Sequence, residues 1–442
     1  MTTTYVRDPV YGKVLIEETK GNNVIAVKKC YQYDANNLRL VKSYTNPASV
    51  VKTYTYDSWG NVTKESDESN SSNILSTTYS YDNWGSLVKT VNPDGTSVST
   101  TTEWDSSKQN GVYKTVTVAT AQAPVTTYYD TEGREVYSST NGVGGVNVNK
   151  TTHYNSLGKA EHVVNVVGKL STTAISSYDR FGRMIYSRSE NGTETSYSYN
   201  DRTVVTKTPI GKTTNTYDAW GNVIKAVDNV SSVSYTYNSF CKPTKTTSGS
   251  TTILMEYDAA GNKTKLMDPN AGTMAYSYAA DGSILSQTDA RGVTTNYTYD
   301  SLGRIKQKTY TDKSGKKTTQ TYKYGDSGYS INRIVEKNVA GNKLTYTYDE
   351  YGRILTETHD VFQKAGKQSY TKKYTYDEYG QMSSVTYPGN MVFNYIYDNS
   401  YGYLKEINFK GYKTLYKLNN YDGLTLSTNT VAGELSNTVD SY

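Results

Sequence analysis

Cysteine, histidine, tryptophan and phenylalanine are all scarce in this 442-residue chain, which has 2 Cys, 3 His, 4 Trp and 5 Phe. Cys30 and Cys241 stand alone without a CxxC motif, so they predict two separate free thiols and no zinc site, with a disulfide left open. His153, His162 and His359 lack HExxH spacing, and His153 fits a strand position. No GxSxG nucleophile motif occurs. We therefore expect no catalytic residue, no metal site and no cofactor.

Long apolar runs and a strong charge of one sign are also missing. The sequence has no apolar segment of 18 residues, so it predicts no membrane-spanning helix. The opening "MTTTYVRDPVYGK" does not resemble a signal peptide. The net charge is only +5, from 47 basic and 42 acidic residues. The densest basic run, "KSGKK" at 313–317, predicts a solvated hairpin tip and lacks the extended basic footprint of a nucleic-acid partner. The sequence "PIGKTT" at 209–214 lacks the first Gly of a phosphate loop and predicts a turn.

Tyrosine is the abundant aromatic residue, with 46 copies. The mean hydropathy is −0.69, and Leu, Ile and Val are too sparse for a thick aliphatic core. Cross-strand Tyr pairs, worth about 0.2–1 kcal/mol each, would carry the stability instead. Because a Tyr ring can pack while its hydroxyl stays in water, we expect a long single-layer sheet that is wet on its surface.

A short unit recurs along nearly the whole chain. The string "YTYDSLGRI" at 297–305 reappears as "YTYDSWGNV", "YTYDEYGRI" and "YTYDEYGQM". Well-conserved and more divergent copies of this unit follow each other at intervals of 18–28 residues. This periodicity predicts one repeat domain over residues 31–442, with about 17–18 repeats, preceded by lead-in strands over residues 1–30.

Each unit is predicted to be a β-hairpin. Tyr and Thr alternate with a period of two up to the last Tyr of the strand, and Asp-x-x-Gly follows that Tyr. Asp can accept a backbone hydrogen bond two residues on, and Gly tolerates positive φ, which fits a three-residue loop with a bulge. That register places Tyr56 opposite Val62, and the corresponding position is apolar in most copies, Glu135 and Lys263 being exceptions. The predicted structural turn residues are Asp57, Gly60, Asp82, Gly85, Asp130, Gly133, Asp179, Gly182, Asp218, Gly221, Asp258, Gly261, Asp300, Gly303, Asp349, Gly352, Asp377 and Gly380.

The repeated Asp has two interpretations. A calcium loop needs several converging oxygen ligands, whereas each turn here offers a single Asp beside variable residues. We therefore expect each Asp to cap its own turn. On this interpretation, Asn should replace Asp300 with little effect because it makes the same backbone bond.

The pattern Y-x-Y-D-x-x-G-R/N followed by an apolar residue resembles the YD repeats of RHS proteins. "DARGVTTNYTYDSLGRI" at 289–305 is close to that family's consensus, and the resemblance covers about 410 residues. The family includes bacterial RHS toxins, the B and C components of insecticidal toxin complexes, and teneurins. The resemblance implies an all-β fold in which tandem YD-repeat hairpins form a long antiparallel ribbon coiled into a hollow shell. It also implies a secreted or cell-surface location, and as partners an encapsulated polypeptide or the remaining parts of a longer RHS protein.

The family's "DPxGL"-like self-cleavage motif is not found, so no catalytic residue is carried over. About 36 strands at about 4.8 Å give a ribbon of about 170 Å, enough for one wide turn or two tighter ones. We therefore expect an open or partly closed shell. The leading functional hypothesis is a non-enzymatic scaffold, which the family resemblance would make part of a toxin-encapsulating cocoon. The alternative is a carbohydrate- or cell-surface-binding module that presents exposed Tyr to glycans.

Overall fold

A single continuous sheet of 39 strands makes up the computed structural model. The structure describes residues 2–21, 24–34, 39–46, 50–68, 74–108, 110–363, 366–398, 403–421, 425–430 and 433–438. Its first strands are β1 (Thr2–Arg7), β2 (Val14–Gly21), β3 (Val24–Tyr33), β4 (Val41–Thr45), β5 (Val51–Tyr56), β6 (Val62–Asp67), β7 (Leu75–Tyr81), β8 (Leu87–Val91), β9 (Ser97–Trp104), β10 (Tyr113–Ala119), β11 (Val125–Tyr129), β12 (Glu135–Asn141) and β13 (Asn147–Tyr154).

The middle strands are β14 (Ala160–Val167), β15 (Leu170–Tyr178), β16 (Met184–Arg188), β17 (Glu194–Asn200), β18 (Thr203–Thr208), β19 (Gly211–Tyr217), β20 (Val223–Val227), β21 (Ser232–Tyr237), β22 (Pro243–Ser248), β23 (Thr251–Tyr257), β24 (Lys263–Asp268), β25 (Gly272–Tyr278) and β26 (Ile284–Thr288). The last are β27 (Thr294–Tyr299), β28 (Ile305–Thr311), β29 (Lys317–Tyr324), β30 (Ile334–Val339), β31 (Asn342–Tyr348), β32 (Ile354–Gln363), β33 (Gly366–Tyr376), β34 (Met382–Tyr387), β35 (Met391–Tyr397), β36 (Leu404–Phe409), β37 (Lys413–Tyr421), β38 (Thr425–Thr430) and β39 (Gly433–Thr438). Helix in the described residues is limited to two three-residue 3₁₀ turns, Val143–Gly145 and Gly328–Ser330. Neither is long enough to cross a membrane.

Every strand pairs antiparallel with the strand that follows it in the chain. The all-β ribbon of tandem hairpins is therefore confirmed, and the sheet is not closed. β1 and β2 of the predicted lead-in belong to the same sheet as β3. Because the chain reverses at each strand end, loops after odd-numbered strands lie along one edge of the ribbon, here called the hairpin-loop edge. Turns after even-numbered strands lie along the other, the connector edge.

The predicted register is also confirmed. Tyr56 pairs with Val62, and a bulge lies between Thr55 and Tyr56. The same offset holds where the facing residue is polar, as in the pair of Tyr257 with Lys263. The register therefore follows from the loop length and does not depend on an apolar partner in every copy.

The core is thin, as the composition predicts. Only Val50, Tyr128, Val136, Val146 and Val385 are buried apolar residues among those described, and none of these side chains is below 2% exposure. Paired rings take over part of the packing: Tyr113 stacks on its strand partner Tyr129 at 4.9 Å, and Phe393 stacks on Phe409 at 4.8 Å.

The two faces of the sheet differ in exposure. In β27, the side chains of Tyr297 and Tyr299 are half-buried, whereas Asn296 and Thr298 between them are exposed. β25 alternates in the same way, with Tyr276 and Tyr278 on the less exposed face. Among the residues that the structure describes, no second layer covers either face. We infer that curvature makes the difference and that the Tyr face is the concave one.

The ribbon returns to itself after 239 residues. Arg333, which precedes β30, contacts Asp94 in the turn between β8 and β9. The 21 strands from β9 to β29 lie between these residues, which at about 4.8 Å per strand gives a circumference of about 100 Å. The corresponding radius is about 16 Å before strand tilt widens it. With 39 strands in all, the chain makes close to two turns, the tighter of the two geometries expected from the sequence.

Candidate functional site

Most repeats are closed by a hydrogen-bonded loop that begins with an Asp. In the 57–61 loop, Asp57 N–H donates to the Asn61 carbonyl at 3.0 Å and Gly60 N–H donates to the Asp57 carbonyl at 3.1 Å. Asp57 Oδ1 accepts from the N–H groups of Trp59 and Asn61, both at 2.9 Å. Gly60 has φ +92°, in the left-handed region. The carboxylate thus satisfies two backbone donors that a tight turn would leave to water.

The other predicted turn residues lie in the same positions of their own loops. Oδ1 accepts two backbone bonds at Asp82, Asp130, Asp179, Asp218, Asp258, Asp300, Asp349 and Asp377. The matching glycines all have positive φ: Gly85, Gly133, Gly182, Gly221, Gly261, Gly303, Gly352 and Gly380. Their contribution to stability remains a prediction, which the substitutions below are designed to measure.

The second carboxylate oxygen has a partner that the sequence reasoning left unassigned. The residue after Gly reaches back to Oδ2: Arg304 Nε donates to Asp300 at 2.7 Å, and Asn262 Nδ2 donates to Asp258 at 3.1 Å. The side-chain hydrogen bond from Asn61 is the main reason why the pKa of the Asp57 carboxyl lies below its ordinary value. The Arg or Asn after Gly in the repeat motif was the available signal.

Two natural exceptions separate the turn from this side-chain pair. Asn155 and Asn238 replace Asp, and each Oδ1 still accepts two backbone N–H bonds. In both copies the residue after the left-handed position is Lys, Lys159 and Lys242. Asn is therefore compatible with the loop itself, and in these two copies no Arg follows the left-handed position.

The held Arg extends the contact to the next repeat. The Arg304 guanidinium lies 4.2 Å from the centre of the Tyr324 ring, and that of Arg183 lies 4.4 Å from the Tyr199 ring. Arg134 and Arg353 contact Tyr154 and Tyr376 in the same way, at 4.6 and 4.4 Å. Such cation–π contacts are worth about 0.5–1 kcal/mol at exposed sites. Asp, Arg and the following Tyr thus form a unit that joins neighbouring repeats.

In most repeats the hydroxyl of the Tyr that precedes the loop completes the joint, and here the expectation from the sequence was wrong. It was expected to stay in water, yet Tyr81 donates to the Val62 carbonyl at 2.9 Å and Tyr299 donates to the Ile284 carbonyl at 2.7 Å. Each acceptor is the first residue of the preceding repeat's second strand. Twelve further residues donate in the same way: Tyr33, Tyr56, Tyr154, Tyr178, Tyr199, Tyr237, Tyr257, Tyr278, Tyr324, Tyr348, Tyr376 and Tyr397.

The carbonyl is available because the strands of neighbouring repeats diverge there. The ladder between β6 and β7 reaches only as far as the pair of Lys64 and Thr78, so Val62 lies beyond it. The ladder between β26 and β27 ends in the same way at Ser286 and Asn296, two residues past Ile284. An unpaired backbone carbonyl costs free energy when it is shielded from water. The Tyr hydroxyl supplies the missing donor, and this follows from three-dimensional placement that no sequence period encodes.

The two turns of the coil meet along a seam. Arg333 Nη2 lies 2.8 Å from Asp94 Oδ2, joining the hairpin-loop edge of the second turn to the connector edge of the first. A cleft of about 710 Å³ lies further along the seam, between 121–125 and 140–142 on one side and Tyr351, Arg353 and 377–380 on the other. A Cβ added to Gly145 would lie 3.0 Å from the Tyr379 hydroxyl, which shows how closely the edges approach.

Elsewhere the hairpin-loop edge carries large exposed aromatic side chains. All 4 Trp of the chain are exposed, and Trp59, Trp84 and Trp220 occupy the second position after Asp in their loops. Trp104 ends β9 on the same edge and is 88% exposed. Clefts of about 490 and 550 Å³ lie beside Trp59 and between Trp84 and Trp104. The signal in the sequence was the recurrence of Trp at one fixed loop position, whereas the aromatic residues that pack in the strands are mostly Tyr.

Other candidate chemistry is dispersed. Cys30 and Cys241 are free thiols, as expected, and His153 is a residue of β13. Within the described ranges, no group of three or more His, Cys, Asp or Glu side chains is arranged to hold a metal ion. The "KSGKK" segment forms the turn that leads into β29, and "PIGKTT" comprises the two-residue turn after β18 and the first four residues of β19.

Comparison with known proteins agrees with this geometry. A family model described as RHS Repeat matches residues 33–72 and 278–317. The chain contains RHS repeats in these two stretches. A search of curated proteins gave no match. The TcdB2-TccC3 crystal structure is similar over 97% of this chain, with a TM-score of 0.56 and 13% identity. TcdB2-TccC3 without its hypervariable C-terminal region gives a TM-score of 0.57 with 11% identity.

These similarities show that the chain shares the fold of a part of the TcdB2-TccC3 structures. The chain covers only 28% and 29% of those two solved chains. It therefore spans less than a third of the proteins that it resembles.

The left-handed position of the loop gives a first prediction. Gly303→Val should lower the free energy of unfolding by about 1–3 kcal/mol, because a β-branched residue is strained at positive φ. No atom lies within 4 Å of an added Cβ at Gly303, so the cost would be that of the backbone alone. Lys306→Ala, an exposed strand position in the same hairpin, is the control. Equal denaturant midpoints for the two variants would contradict the turn assignment. Cys241 occupies this loop position with φ +55°, so Cys241→Gly should shift stability in the opposite direction.

The carboxylate pair gives a second prediction, which replaces the expectation that Asn would be harmless at position 300. Asp300→Asn should cost about 1 kcal/mol, because its amide would face the Arg304 guanidinium. Asp258→Asn should be nearly neutral, since the Asn262 amide can turn to present its oxygen. Both variants are measured by urea unfolding with and without calcium. A calcium-dependent rise in melting temperature that Asp300→Asn diminishes would mean that these Asp residues bind metal.

Proposed function

We propose that this chain is a non-enzymatic scaffold, a wall segment of a secreted or cell-surface RHS-type shell. The observation that carries the proposal is the uninterrupted ribbon, which coils through nearly two turns and is fastened to itself by Arg333 and Asp94. The repeated polar groups are engaged within and between repeats. Asp carboxylates accept hydrogen bonds from loop N–H groups, and Arg side chains pair with Asp and lie over Tyr rings. Tyr hydroxyls donate to backbone carbonyls. In the described residues these groups contact one another, which supports a role in holding the wall.

The dimensions limit what such a coil could enclose. Sheet side chains extend about 5 Å from the backbone, half of the usual 10 Å spacing between sheets. A coil of about 16 Å radius then leaves a lumen about 20 Å wide, whereas a folded 100-residue domain has a radius of gyration of about 13 Å and is wider than that. The proposed partner is therefore an unfolded polypeptide, together with the remaining parts of a longer RHS protein.

A protease-protection experiment tests this proposal. A short unfolded reporter is fused after Tyr442, and its digestion is compared in the parent sequence and in the seam variant Asp94→Lys. Enclosure predicts slow digestion in the parent and fast digestion in the variant. Circular dichroism must show that the variant keeps its β-structure. Equal, rapid digestion in both proteins would count against an encapsulating role.

Glycan binding is the second candidate, and the structure changes which residues would perform it. The Tyr side chains of the repeats are half-buried on the concave face, whereas Trp59, Trp84 and Trp104 are 80–93% exposed. The cleft between Trp84 and Trp104 also presents Asn83 and Glu103. Aromatic faces beside polar groups suit sugar rings. A glycan array signal that Trp84→Ser removes would support this candidate, and an array without signal would eliminate it.

A further inference from the structure

Several lysine side chains on the concave face of the ribbon are paired with a carboxylate. In four strands a Lys stands four residues before the Tyr that precedes the loop, so it shares the face of that Tyr. Each of these lysines forms an ion pair with a Glu on a neighbouring strand: Lys29 with Glu17, Lys52 with Glu65, Lys150 with Glu135 and Lys372 with Glu357. Charge on this face is therefore neutralised within the wall at these places.

Lys308 and Lys337 lie on the same face and have no such partner. In the two ladders that flank β29, Lys308 faces Gln320 and Lys337 faces Tyr322. Neither lysine forms an ion pair with any residue that the structure describes. Glu336, the carboxylate next to Lys337 in the sequence, lies on the opposite face and pairs with lysines there. Two positive charges thus remain without a counter-charge at one place on the concave wall.

The groups around these two lysines add further hydrogen-bond donors. Lys308 Nζ lies 5.6 Å from the ring centre of Tyr297 and 5.9 Å from that of Tyr322. Gln320, which is only 8% exposed, accepts from the Tyr310 hydroxyl and donates to the Tyr322 hydroxyl. The Tyr322 hydroxyl therefore keeps its own proton for another acceptor. The Tyr297 hydroxyl donates to no group among the described residues.

A place with spare donors and uncompensated positive charge suits a carboxylate ligand. Ammonium and hydroxyl groups both donate to carboxylate oxygens, and such charge-assisted bonds are the stronger ones. Concave walls with charge of one sign also concentrate the electric field. Two lysines do not form the extended basic footprint that a nucleic acid requires. A polypeptide with Asp or Glu side chains is therefore the occupant that the charge favours.

We name the side chains of Tyr297, Lys308, Tyr322 and Lys337 the lumen anchor. We propose that the lumen anchor binds carboxylate side chains of an acidic segment in the enclosed polypeptide. A carboxylate of that segment takes the place that Glu holds beside the paired lysines of the concave face. This inference rests on the proposed enclosing role, and it adds the chemistry by which the wall would select and retain one part of its occupant.

Fluorescence anisotropy with an unstructured, fluorescein-labelled peptide of alternating Glu and Ser tests the proposal. The sheet is not closed, so a free peptide can reach its concave face. The parent chain should bind the peptide, and Lys308→Gln/Lys337→Gln should bind it about tenfold or more weakly, because charge-assisted hydrogen bonds are lost. Lys306→Gln/Lys317→Gln makes the same charge change at exposed positions of β28 and β29 and should bind as the parent does.

Further measurements separate the lumen anchor from general charge effects. Lys308→Arg/Lys337→Arg keeps both charges and should retain most of the binding, and circular dichroism must show intact β-structure in every variant. Equal binding of the Glu peptide by the parent and by Lys308→Gln/Lys337→Gln would overturn the proposal. No binding by the parent would overturn it too, as would equal binding of a peptide with Gln in place of Glu.

The reporter fused after Tyr442 distinguishes failure of this inference from failure of the enclosing role. If the reporter resists protease but the Glu peptide does not bind through Lys308 and Lys337, enclosure stands and the lumen anchor is refuted. If the reporter is digested rapidly but the Glu peptide binds through these two lysines, the acid-binding site is supported and enclosure is not.

Discussion

Replacing Tyr299, Tyr348 and Tyr376 by Phe should lower the free energy of unfolding by about 3 kcal/mol, at about 1 kcal/mol for each hydrogen bond. Their hydroxyls donate to the carbonyls of Ile284, Ile334 and Ile354 at 2.7, 2.6 and 2.8 Å. Phe keeps the ring and removes only the donor. Each acceptor lies beyond the end of a strand ladder, so its lost partner would not be replaced by the sheet.

The matched control uses the Tyr residues two positions earlier in the same strands. Tyr297, Tyr346 and Tyr374 lie on the same face, and their hydroxyls donate to no carbonyl in the described residues. Their triple Phe variant should therefore unfold at nearly the parent urea concentration. Equal destabilisation of the two triple variants would show that ring packing, and not the hydroxyl ladder, joins the repeats.

The stability of the protein should fall steeply at alkaline pH, because deprotonation of the same Tyr hydroxyls is coupled to unfolding. Burial is the main reason why the pKa values of Tyr56, Tyr299, Tyr348, Tyr376 and Tyr397 are raised above the ordinary 10.0. Below pH 10 both states keep these protons, and the stabilisation is fully present. As the pH rises from 10 towards the higher pKa values of the folded state, the unfolded chain loses protons first and stability falls.

The measurement is the melting temperature followed by circular dichroism, with tyrosinate absorbance recorded in parallel. The melting temperature should be nearly constant from pH 7 to 9 and should fall steeply above pH 10, and tyrosinate should appear as the sheet is lost. The Tyr299, Tyr348 and Tyr376 triple Phe variant should show a shallower fall because it has fewer linked groups. Gradual tyrosinate formation in an intact sheet would contradict this linkage.

Local chemistry was sufficient to predict the hairpin. Asp57 and Gly60 fix a three-residue loop, and that loop sets the register of Tyr56 with Val62 without reference to distant residues. The order of strands also followed, because each hairpin pairs with its neighbour in the chain. The thin core followed from a composition rich in Tyr and poor in aliphatic residues.

Contacts between repeats were less accessible to sequence reasoning. The donation from Tyr81 to the Val62 carbonyl depends on where two strands diverge, which no residue pattern states. The pair of Asp300 and Arg304 was visible in the motif but needed the loop geometry to reveal its role. The contact of Arg333 with Asp94 spans 239 residues and depends on the curvature of the whole ribbon. Small twists add along many strands to set that curvature, and it lies outside the reach of a single repeat.

The coil is the central claim, and one distance tests it most directly. Spin labels are placed at Pro93→Cys and Ile331→Cys, which line the two sides of the seam beside Asp94 and Arg333, after Cys30 and Cys241 are replaced by Ser. An uncoiled ribbon would separate the labels by about 100 Å across 21 strands at about 4.8 Å each. Pulsed electron–electron double resonance should instead give one short distance between the two spin labels, less than about a quarter of that span. A broad distribution near the uncoiled value would contradict the account.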